Sequence, residues 1–319
     1  MEEEYPSIPM GRTRKILRTS IHTFLKNYQY FTITSSLLSL PFSASVLLSQ
    51  TFVPFSPLLP TIYHRLRSLF DAASFPPSSQ FFTILNLKLS QTITSSILVL
   101  PFTLSFLLFA KASVIQALHH HKPPLHPSLA SFISIYNPIL LTQICNSIVI
   151  LSANATCFSL LFLAFNFLEG FGFSSPNSLL FLSATGAVMY SVILANAFII
   201  CNLALVLSGV DKCGGFQAIL KACVLIRGRT ATALALALPA NMALAAIEAL
   251  FQYRVVRAYY FTKSSNSSTA LEGMFIAYLY SIIVVIDTIV TYVFFKSCKS
   301  AYRDIISSVE NVKSLDDIP

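Results

Sequence analysis

Six long apolar stretches limit the class of fold that this sequence can form. A helix that crosses about 30 Å of hydrocarbon needs about 20 mostly apolar residues. The stretches are Tyr30–Gln50, Gln91–Lys111, Ile139–Ala164, Leu179–Val206, Thr230–Phe251 and Glu272–Phe295. Backbone groups in lipid must pair internally, and continuous apolar runs lack the alternation of barrel strands. The sequence therefore predicts an all-α, polytopic membrane helical bundle of about six transmembrane helices, with interfacial amphipathic helices.

Composition and charge exclude other classes of protein. Only 11% of the residues are charged, while 55% are hydrophobic, and a soluble domain averages about 25% charged residues. The net charge is +8, but the basic residues flank the apolar stretches. We therefore expect anionic lipid headgroups as partners, and no nucleic acid.

The distribution of Lys and Arg predicts the topology. Most of the 21 basic residues fall in the terminal arms and in alternate loops, so the positive-inside rule places both termini in the cytosol. Residues 1–29 form a cytosolic basic arm, 30–295 the six-span domain and 296–319 a cytosolic tail. The sequon at Asn266 is a possible glycosylation site in an outer loop. The endoplasmic reticulum or another endomembrane is the expected location, with the plasma membrane as the alternative.

The N-terminal arm has the pattern of a helix lying on a membrane surface. Apolar residues recur at helical spacing from Ile16 to Leu25, beside a set of cations. The cations are Arg12, Arg14, Lys15, Arg18 and Lys26. The alternative is an ordinary packed helix whose charges only fix the topology.

Two further segments are candidates for surface helices. Thr61–Ala72 falls in an outer loop, where a packed loop helix is the alternative. Gly214–Gly228 has an apolar stripe formed by Phe216, Ile219, Leu220, Cys223 and Ile226, with glycines positioned to open and close a helix.

Two motifs in this part of the chain carry a family resemblance. They read Gly-Phe-x-Ala-Ile from Gly215 and Leu-Ile-Arg-Gly-Arg from Leu225, and a basic arm begins Arg-Lys-Ile-Leu-Arg at Arg14. The layout resembles a land-plant family of uncharacterised multi-pass membrane proteins, most clearly over Val206–Arg229. The resemblance implies about six spans and no particular activity.

The chain also contains a possible internal repeat. Thr32–Leu48 and Thr92–Leu108 share the opening Thr-Ile-Thr-Ser-Ser and a Leu-Pro-Phe motif that contains Pro41 or Pro101. In a six-span topology the copies cross in opposite directions, as in the inverted repeats of transporters. Convergence of Leu/Ser-rich sequence is one alternative, and an additional membrane segment within residues 51–90 is another.

Two acidic residues fall inside the apolar stretches, and charges at membrane depth are hypotheses of function. Glu248 lies near the end of its stretch and is interpreted as a boundary residue. Asp287 lies deep, at a level where we expect no Lys or Arg. Asn146 and Asn196 reach a similar depth, which predicts a buried polar layer with Asp287. This layer serves either interhelical packing or a proton or substrate site.

Other reactive residues predict little chemistry. Cys213, Cys223 and Cys298 lie near span ends, where palmitoylation is possible. The run from His119 to His126 contains two prolines and has no acidic residue or Cys beside it, so no metal site is expected. The chain has no phosphate-binding or hydrolase motif, and no cofactor or enzymatic activity is expected.

The Ala-rich fifth stretch completes the predicted architecture. Small residues permit close helix contacts, so it should lie inside the bundle or form a homo-oligomer contact.

A non-enzymatic membrane-organising or adaptor role is the primary interpretation of the whole chain. A secondary transporter or channel subunit using the Asp287 layer is the first alternative, and a lipid-sensing protein is the second.

Overall fold

The computed structural model describes residues 10–72, 80–119, 129–170, 176–258 and 267–316. Within these ranges the regular structure is helical, and no strand occurs. The α-helices are α1 (Met10–Lys26), α2 (Ser36–Phe52), α3 (Leu58–Ala72), α4 (Gln80–Phe102), α5 (Leu108–His119), α6 (Leu129–Gly170), α7 (Pro176–Asp211), α8 (Phe216–Ile226), α9 (Thr230–Phe251) and α10 (Ser267–Asp316). Short π-helical segments, Tyr30–Ser35, Thr103–Leu107 and Gln252–Val256, join or extend them, and a 3₁₀ turn covers Val53–Phe55.

Six helical stretches are long and apolar enough to cross a membrane, as the sequence predicts. They are Tyr30–Phe55, Thr83–His119, Ile133–Ala164, Ala184–Asp211, Thr230–Val256 and Ser268–Ala301. The second stretch differs most from the prediction, because its helix continues in both directions beyond the apolar run. Within the described part of residues 51–90, α3 has only 15 residues, so that part contains no additional candidate span.

Helix α10 is the central element of the bundle. It packs against α1, α2, α5, α7 and α9, and its 50 residues extend about 75 Å. Val285 and Ile289 are fully or almost fully buried on it. The predicted boundary between residues 295 and 296 therefore falls inside a continuous helix.

Small hydroxyl side chains allow α2 and α10 to approach closely. Ser36, Ser39 and Ser43 lie four or fewer residues apart on one face of α2, and each is completely buried. The hydroxyl of Ser39 donates to the carbonyl oxygens of Ser36 at 3.3 Å and of Ser281 on α10 at 3.4 Å. Helix contacts in membranes depend on such small residues, which explains the Ser-rich sequence of α2.

The two copies of the internal repeat lie side by side and run antiparallel. The hydroxyls of Ser49 and Ser95 are 2.8 Å apart, while the hydroxyl of Tyr30 donates to the carbonyl of Ser113 at 3.4 Å. The contacts between the two copies therefore run in opposite directions along the two helices. Residues at equivalent positions of the repeat come to the same level near Phe42 and Phe102. Their local geometry differs, because a π-helical segment begins two residues after Pro101, whereas α2 continues as an α-helix for eleven residues beyond Pro41.

Helices α6 and α7 form a long hairpin whose far half packs mainly on itself. The hydroxyl of Tyr190 donates to Asn154 Oδ1 at 2.7 Å, and the rings of Phe158 and Tyr190 are 6.2 Å apart. Asn154 also donates to the carbonyl of Ile150 at 2.9 Å. These hydrogen bonds satisfy the polar side chain of Asn154 within the hairpin. The surrounding apolar side chains offer it no other partner.

Throughout, the face of the bundle that carries α1 and α8 is called the α1 face, and the opposite face, which carries α3, is called the α3 face. An ion pair marks each face. Lys299 Nζ is 2.7 Å from Asp211 Oδ1 on the α1 face, and Arg254 Nη2 is 3.3 Å from Glu272 Oε1 on the α3 face.

Candidate functional site

A buried polar centre forms where α5, α7 and α10 meet. Lys111 Nζ donates to Asn202 Oδ1 at 3.2 Å. Asp287 lies across the same space, near enough for its charge and that of Lys111 to act on each other but without a direct ion-pair contact between the two described side chains. A cavity of about 30 Å³ lies here, lined by Asn202, Asp287 and Thr291 together with apolar residues of α7, α9 and α10. We call Lys111, Asn202 and Asp287 the buried polar centre.

The buried polar centre lies well below the α1 face, and each of its three side chains is half-buried in the protein. The Asp211–Lys299 ion pair provides a reference level at the α1 face. Asn202 precedes Asp211 by nine positions, so it lies about 14 Å deeper along α7. Asp287 precedes Lys299 by twelve positions, so it lies about 18 Å deeper along α10. These depths place Asn202 and Asp287 within the apolar part of their two candidate spans.

The expectation that no basic residue reaches the depth of Asp287 is wrong. It assumed that the helix ends at Lys111, but the helix continues to His119. Val114 and Ile115 beyond it are fully or almost fully buried, which moves Lys111 two turns into the bundle. The apolar sequence after Lys111, Ala-Ser-Val-Ile-Gln-Ala-Leu, is the signal that could have revealed this.

The two predicted amides lie outside the contacts of the buried polar centre. Asn146 is 1% exposed and donates through Nδ2 to the carbonyl of Cys201 at 3.0 Å, while its Oδ1 accepts no hydrogen bond from the described residues. Asn196 is half-buried and lies six positions before Asn202, about 9 Å along α7. Asn202 takes the place that the sequence assigned to Asn196, because the partner lysine lies closer to the α1 face.

The chemistry of the centre follows from its charges. A carboxylate and an ammonium in an apolar bundle are each costly to desolvate, and each compensates the other. A volume of about 30 Å³ can hold a water molecule, since about 10–15 Å³ suffices when polar partners are present. The arrangement can hold an ordered water or bind and release a proton at Asp287 or Lys111.

A second polar cluster surrounds Glu248 near the α3 face. Its Oε1 accepts from the hydroxyl of Tyr280 at 3.2 Å, and its Oε2 accepts from Gln50 Nε2 at 3.1 Å. Gln252 Nε2 donates in turn to Gln50 Oε1 at 2.9 Å. Glu248 was interpreted as a boundary residue, but its helical stretch continues to Val256, which places it about 12 Å from that end. Its acceptors are used within the bundle, and so the cluster ties α2, α9 and α10 together.

Helix α1 presents two different faces. Ile16, Ser20 and Phe24 recur every four residues and are buried, because this face packs against α9 and α10. On the other side Ile21 and Leu25 are 47% and 60% exposed. The predicted basic residues Arg14, Lys15, Arg18 and Lys26 are exposed as well. Arg12 belongs to the helix, but its side chain lies outside the described part. The two interpretations of this arm, packed helix and surface helix, each describe one of its faces.

Helix α8 is apolar on both sides. Ala218, Ile219, Ala222 and Ile226 are buried against the bundle. Phe216, Leu220 and Val224, on the opposite side, are 54%, 66% and 61% exposed. The predicted single stripe is therefore divided, since Phe216, Leu220 and Cys223 face outward and only Ile219 and Ile226 face the bundle.

The turn before α8 explains the paired glycines of the sequence motif. Gly215 has φ +71° and ψ −145°, a conformation essentially restricted to glycine. Its N–H donates to the hydroxyl of the buried Thr142 at 3.0 Å. A Cβ on Gly214 would lie 3.0 Å from the carbonyl oxygen of Pro138. The motif therefore seats α8 tightly on α6.

The three predicted acylation sites differ in accessibility. Cys298 is 1% exposed, and its carbonyl accepts from Arg229 Nη1 at 3.4 Å. Cys213 is half-buried, and Cys223 is exposed. Desolvation by the neighbouring protein still raises the pKa of the Cys223 thiol. Asn266 and the residues from His120 to His126 lie outside the described residues, so their predicted roles stay predictions.

The Ala-rich helix α9 lies at the edge of the bundle. Thr232, Ala233 and Leu236 are buried, whereas Leu238 and Met242 are 59% and 65% exposed. Of the two predicted positions, inside the bundle or at an oligomer contact, the structure does not show the first, because α9 packs on α10, α7 and α1 with part of its surface and leaves the rest exposed. An oligomer contact through its exposed side stays a prediction.

Comparison with known proteins gives a family and no activity. Neither curated proteins nor solved structures provide a match to the chain. Residues 1–316 match a family described as "Domain of unknown function (DUF8558)". That match covers the buried polar centre, the α8 turn and all six candidate spans. The chain therefore belongs to the DUF8558 family.

Proposed function

We propose that this chain is a non-enzymatic, multi-pass membrane protein that organises the membrane through helices held on its α1 face. The main observation behind this proposal is the outward apolar side of α8. It is formed by Phe216, Leu220 and Val224, each of which is more than half exposed. Three large apolar side chains exposed together, beside the cation Lys221, require lipid or protein on their outer side. With 11 residues, α8 is about 16 Å long and too short to cross a bilayer.

Helix α1 supports the same proposal. Its outward side combines Ile21 and Leu25 with cations, the pattern of helices that lie among anionic headgroups. Each Lys or Arg near an anionic surface contributes about 1 kcal/mol to binding. Because Ile16 and Phe24 fix α1 to the bundle, the bundle holds both surface helices at one level. They insert side chains into a single leaflet and bend or order it.

The test compares reconstituted vesicles containing wild-type protein with vesicles containing Leu220→Ser/Val224→Ser. Vesicles of phosphatidylcholine and phosphatidylglycerol are imaged by electron cryomicroscopy at equal protein content. Wild-type protein should narrow the distribution of vesicle diameters or produce tubules, and the double variant should not. Gln217→Ser, an exposed polar position on the same helix, is the matched control. Identical vesicle shapes for all three proteins contradict the proposal.

The proposed setting is a land-plant endomembrane, the endoplasmic reticulum first and the plasma membrane as the alternative. The α1 face is proposed to be cytosolic, as the Lys and Arg distribution predicts. Homo-oligomers through the exposed side of α9 are part of the proposal. Exposed alanines such as Ala235 and Ala246 allow the close approach of a second helix. Ala246→Leu should then reduce the crosslinked dimer, with Met242→Leu as control.

The buried polar centre favours a second candidate function, proton-coupled secondary transport or a channel subunit. Intramembrane ion pairs mark proton and substrate pathways in many membrane proteins. Proton flux is measured in vesicles with a trapped pH-sensitive dye and an imposed pH gradient. Wild-type protein should conduct faster than Asp287→Asn, and Asn196→Ala should match wild type. Equal flux for wild type and Asp287→Asn eliminates this candidate.

A further inference from the structure

A large apolar groove opens near the α3 face between α2, the end of α9 and the start of α10. Its volume is about 390 Å³, and its walls include Pro41 and Leu47 of α2, Phe251 and Val255, and Gly273 of α10. Small-molecule sites in proteins generally have volumes of about 300–1,000 Å³. The groove therefore has the capacity for a ligand, in a region that none of the roles above uses.

Local sequence explains why the groove exists. Small side chains line both walls, with Ala44 on α2 facing Ala270, Gly273 and Ala277 on α10. Pro41 lies at the deep end of the groove and lacks an N–H, so it removes one hydrogen bond from α2 without ending the helix. The α2–α10 contact is close at Ser39 and Ser281, where a hydroxyl and a carbonyl are 3.4 Å apart. From that contact toward the α3 face, the small side chains leave the groove between the two helices.

The length of the groove matches that of one acyl chain in one leaflet of a lipid bilayer. The groove extends along α10 from Thr269 to Ala277, eight positions or about 12 Å. One leaflet contributes about half of a hydrocarbon core of about 30 Å. Apart from the hydroxyl of Thr269, the wall side chains are apolar, so the site suits hydrocarbon.

A charged pair lies beside the groove. Arg254 and Glu272 are 3.3 Å apart, and their side chains are 56% and 43% exposed. They directly precede Val255 and Gly273, which line the groove, and they join the segment that extends α9 to α10, two of the three elements around it. A guanidinium has five N–H donors, so Arg254 can keep Glu272 and still donate to a phosphate oxygen.

We propose that the groove binds one phospholipid from the leaflet at the α3 face, with an acyl chain along α10 and the phosphate against Arg254. A bound lipid fills a volume that otherwise separates α2 from α10. It therefore acts as a structural ligand on the side of the bundle opposite to α1 and α8.

Native mass spectrometry of the full-length protein tests the site. The protein is purified in detergent with added dioleoyl phosphatidylglycerol, and lipids retained per chain are counted. Gly273→Leu fills the groove. Gly273→Ala is the matched control, because its Cβ would meet Phe251 and Val255 at 3.7 Å, an ordinary contact distance. Wild type and Gly273→Ala should retain one more lipid than Gly273→Leu, and Arg254→Gln should reduce retention at least threefold.

The outcomes separate this site from general lipid adhesion. Equal lipid counts for wild type and folded Gly273→Leu overturn the proposal. If Gly273→Leu loses the bound lipid but Arg254→Gln retains it, the phospholipid assignment is overturned. The same conclusion follows if the wild-type protein retains a cholesterol probe as well as it retains the phospholipid. If Gly273→Leu does not fold, as judged by size-exclusion chromatography and circular dichroism, Ala270→Leu on the same wall is measured with the same criteria.

Discussion

Lys111→Met tests whether the charges of Lys111 and Asp287 compensate each other inside the bundle. The substitution keeps the length and apolar stem of the side chain but removes the ammonium. Asp287 then loses the charge with which it interacts, and Asn202 Oδ1 loses its donor at 3.2 Å. Leaving one partner of a buried pair uncompensated costs about 3–5 kcal/mol. The adjoining cavity of about 30 Å³ admits water, so the lower end of that range applies.

We therefore expect Lys111→Met to lower the free energy of unfolding by about 3 kcal/mol, roughly a hundredfold in the equilibrium constant. Asp287→Leu should have a similar effect, because it leaves Lys111 uncompensated. The double variant should cost much less than the sum of both, since apolar replacement of a whole buried pair is often neutral or stabilising.

The assay is equilibrium unfolding in mixed micelles of dodecyl maltoside and sodium dodecyl sulfate, followed by circular dichroism. Asn202→Ala provides an intermediate point, because it removes one hydrogen bond to a charged group, worth about 1.5–3 kcal/mol. Thr291→Val, on the cavity wall, is the control. If the effects of Lys111→Met and Asp287→Leu simply add in the double variant, the two groups are independent and their charges do not compensate each other.

Further predictions concern the α8 turn, the cysteines and the topology. Gly215→Ala should destabilise the protein by about 1–3 kcal/mol in the same unfolding assay, whereas a loss no greater than that of Gly273→Ala would contradict the strain argument. In detergent, maleimide labelling of Cys223 should exceed that of Cys298 and rise with pH, since the raised pKa keeps the thiol protonated at neutral pH; faster labelling of Cys298 would contradict the burial. In a plant expression host, Asn266→Gln should remove a glycan detected by a gel shift, while an unshifted wild-type band would count against the predicted outer loop.

The helical class and the number of spans could be predicted because each depends on local sequence. Twenty apolar residues in lipid form a helix whatever their neighbours are. The ends of the spans were less accurate. The stretch predicted to stop at Lys111 continues to His119, because packing against α6, α7 and α10 buries its polar residues, including Gln116 at 4% exposure. A hydropathy boundary cannot register that packing.

The sequence by itself determined a helical bundle with six candidate spans, a basic N-terminal helix and Asp287 as the deep acidic residue. Only the tertiary structure decided the partners of Asp287, because residues that are far apart in the chain meet through helix rotation and register. Asn202 rather than Asn196 faces Lys111 for that reason. The groove beside Gly273 also depends on how α2, the end of α9 and α10 pack together, which no single segment determines.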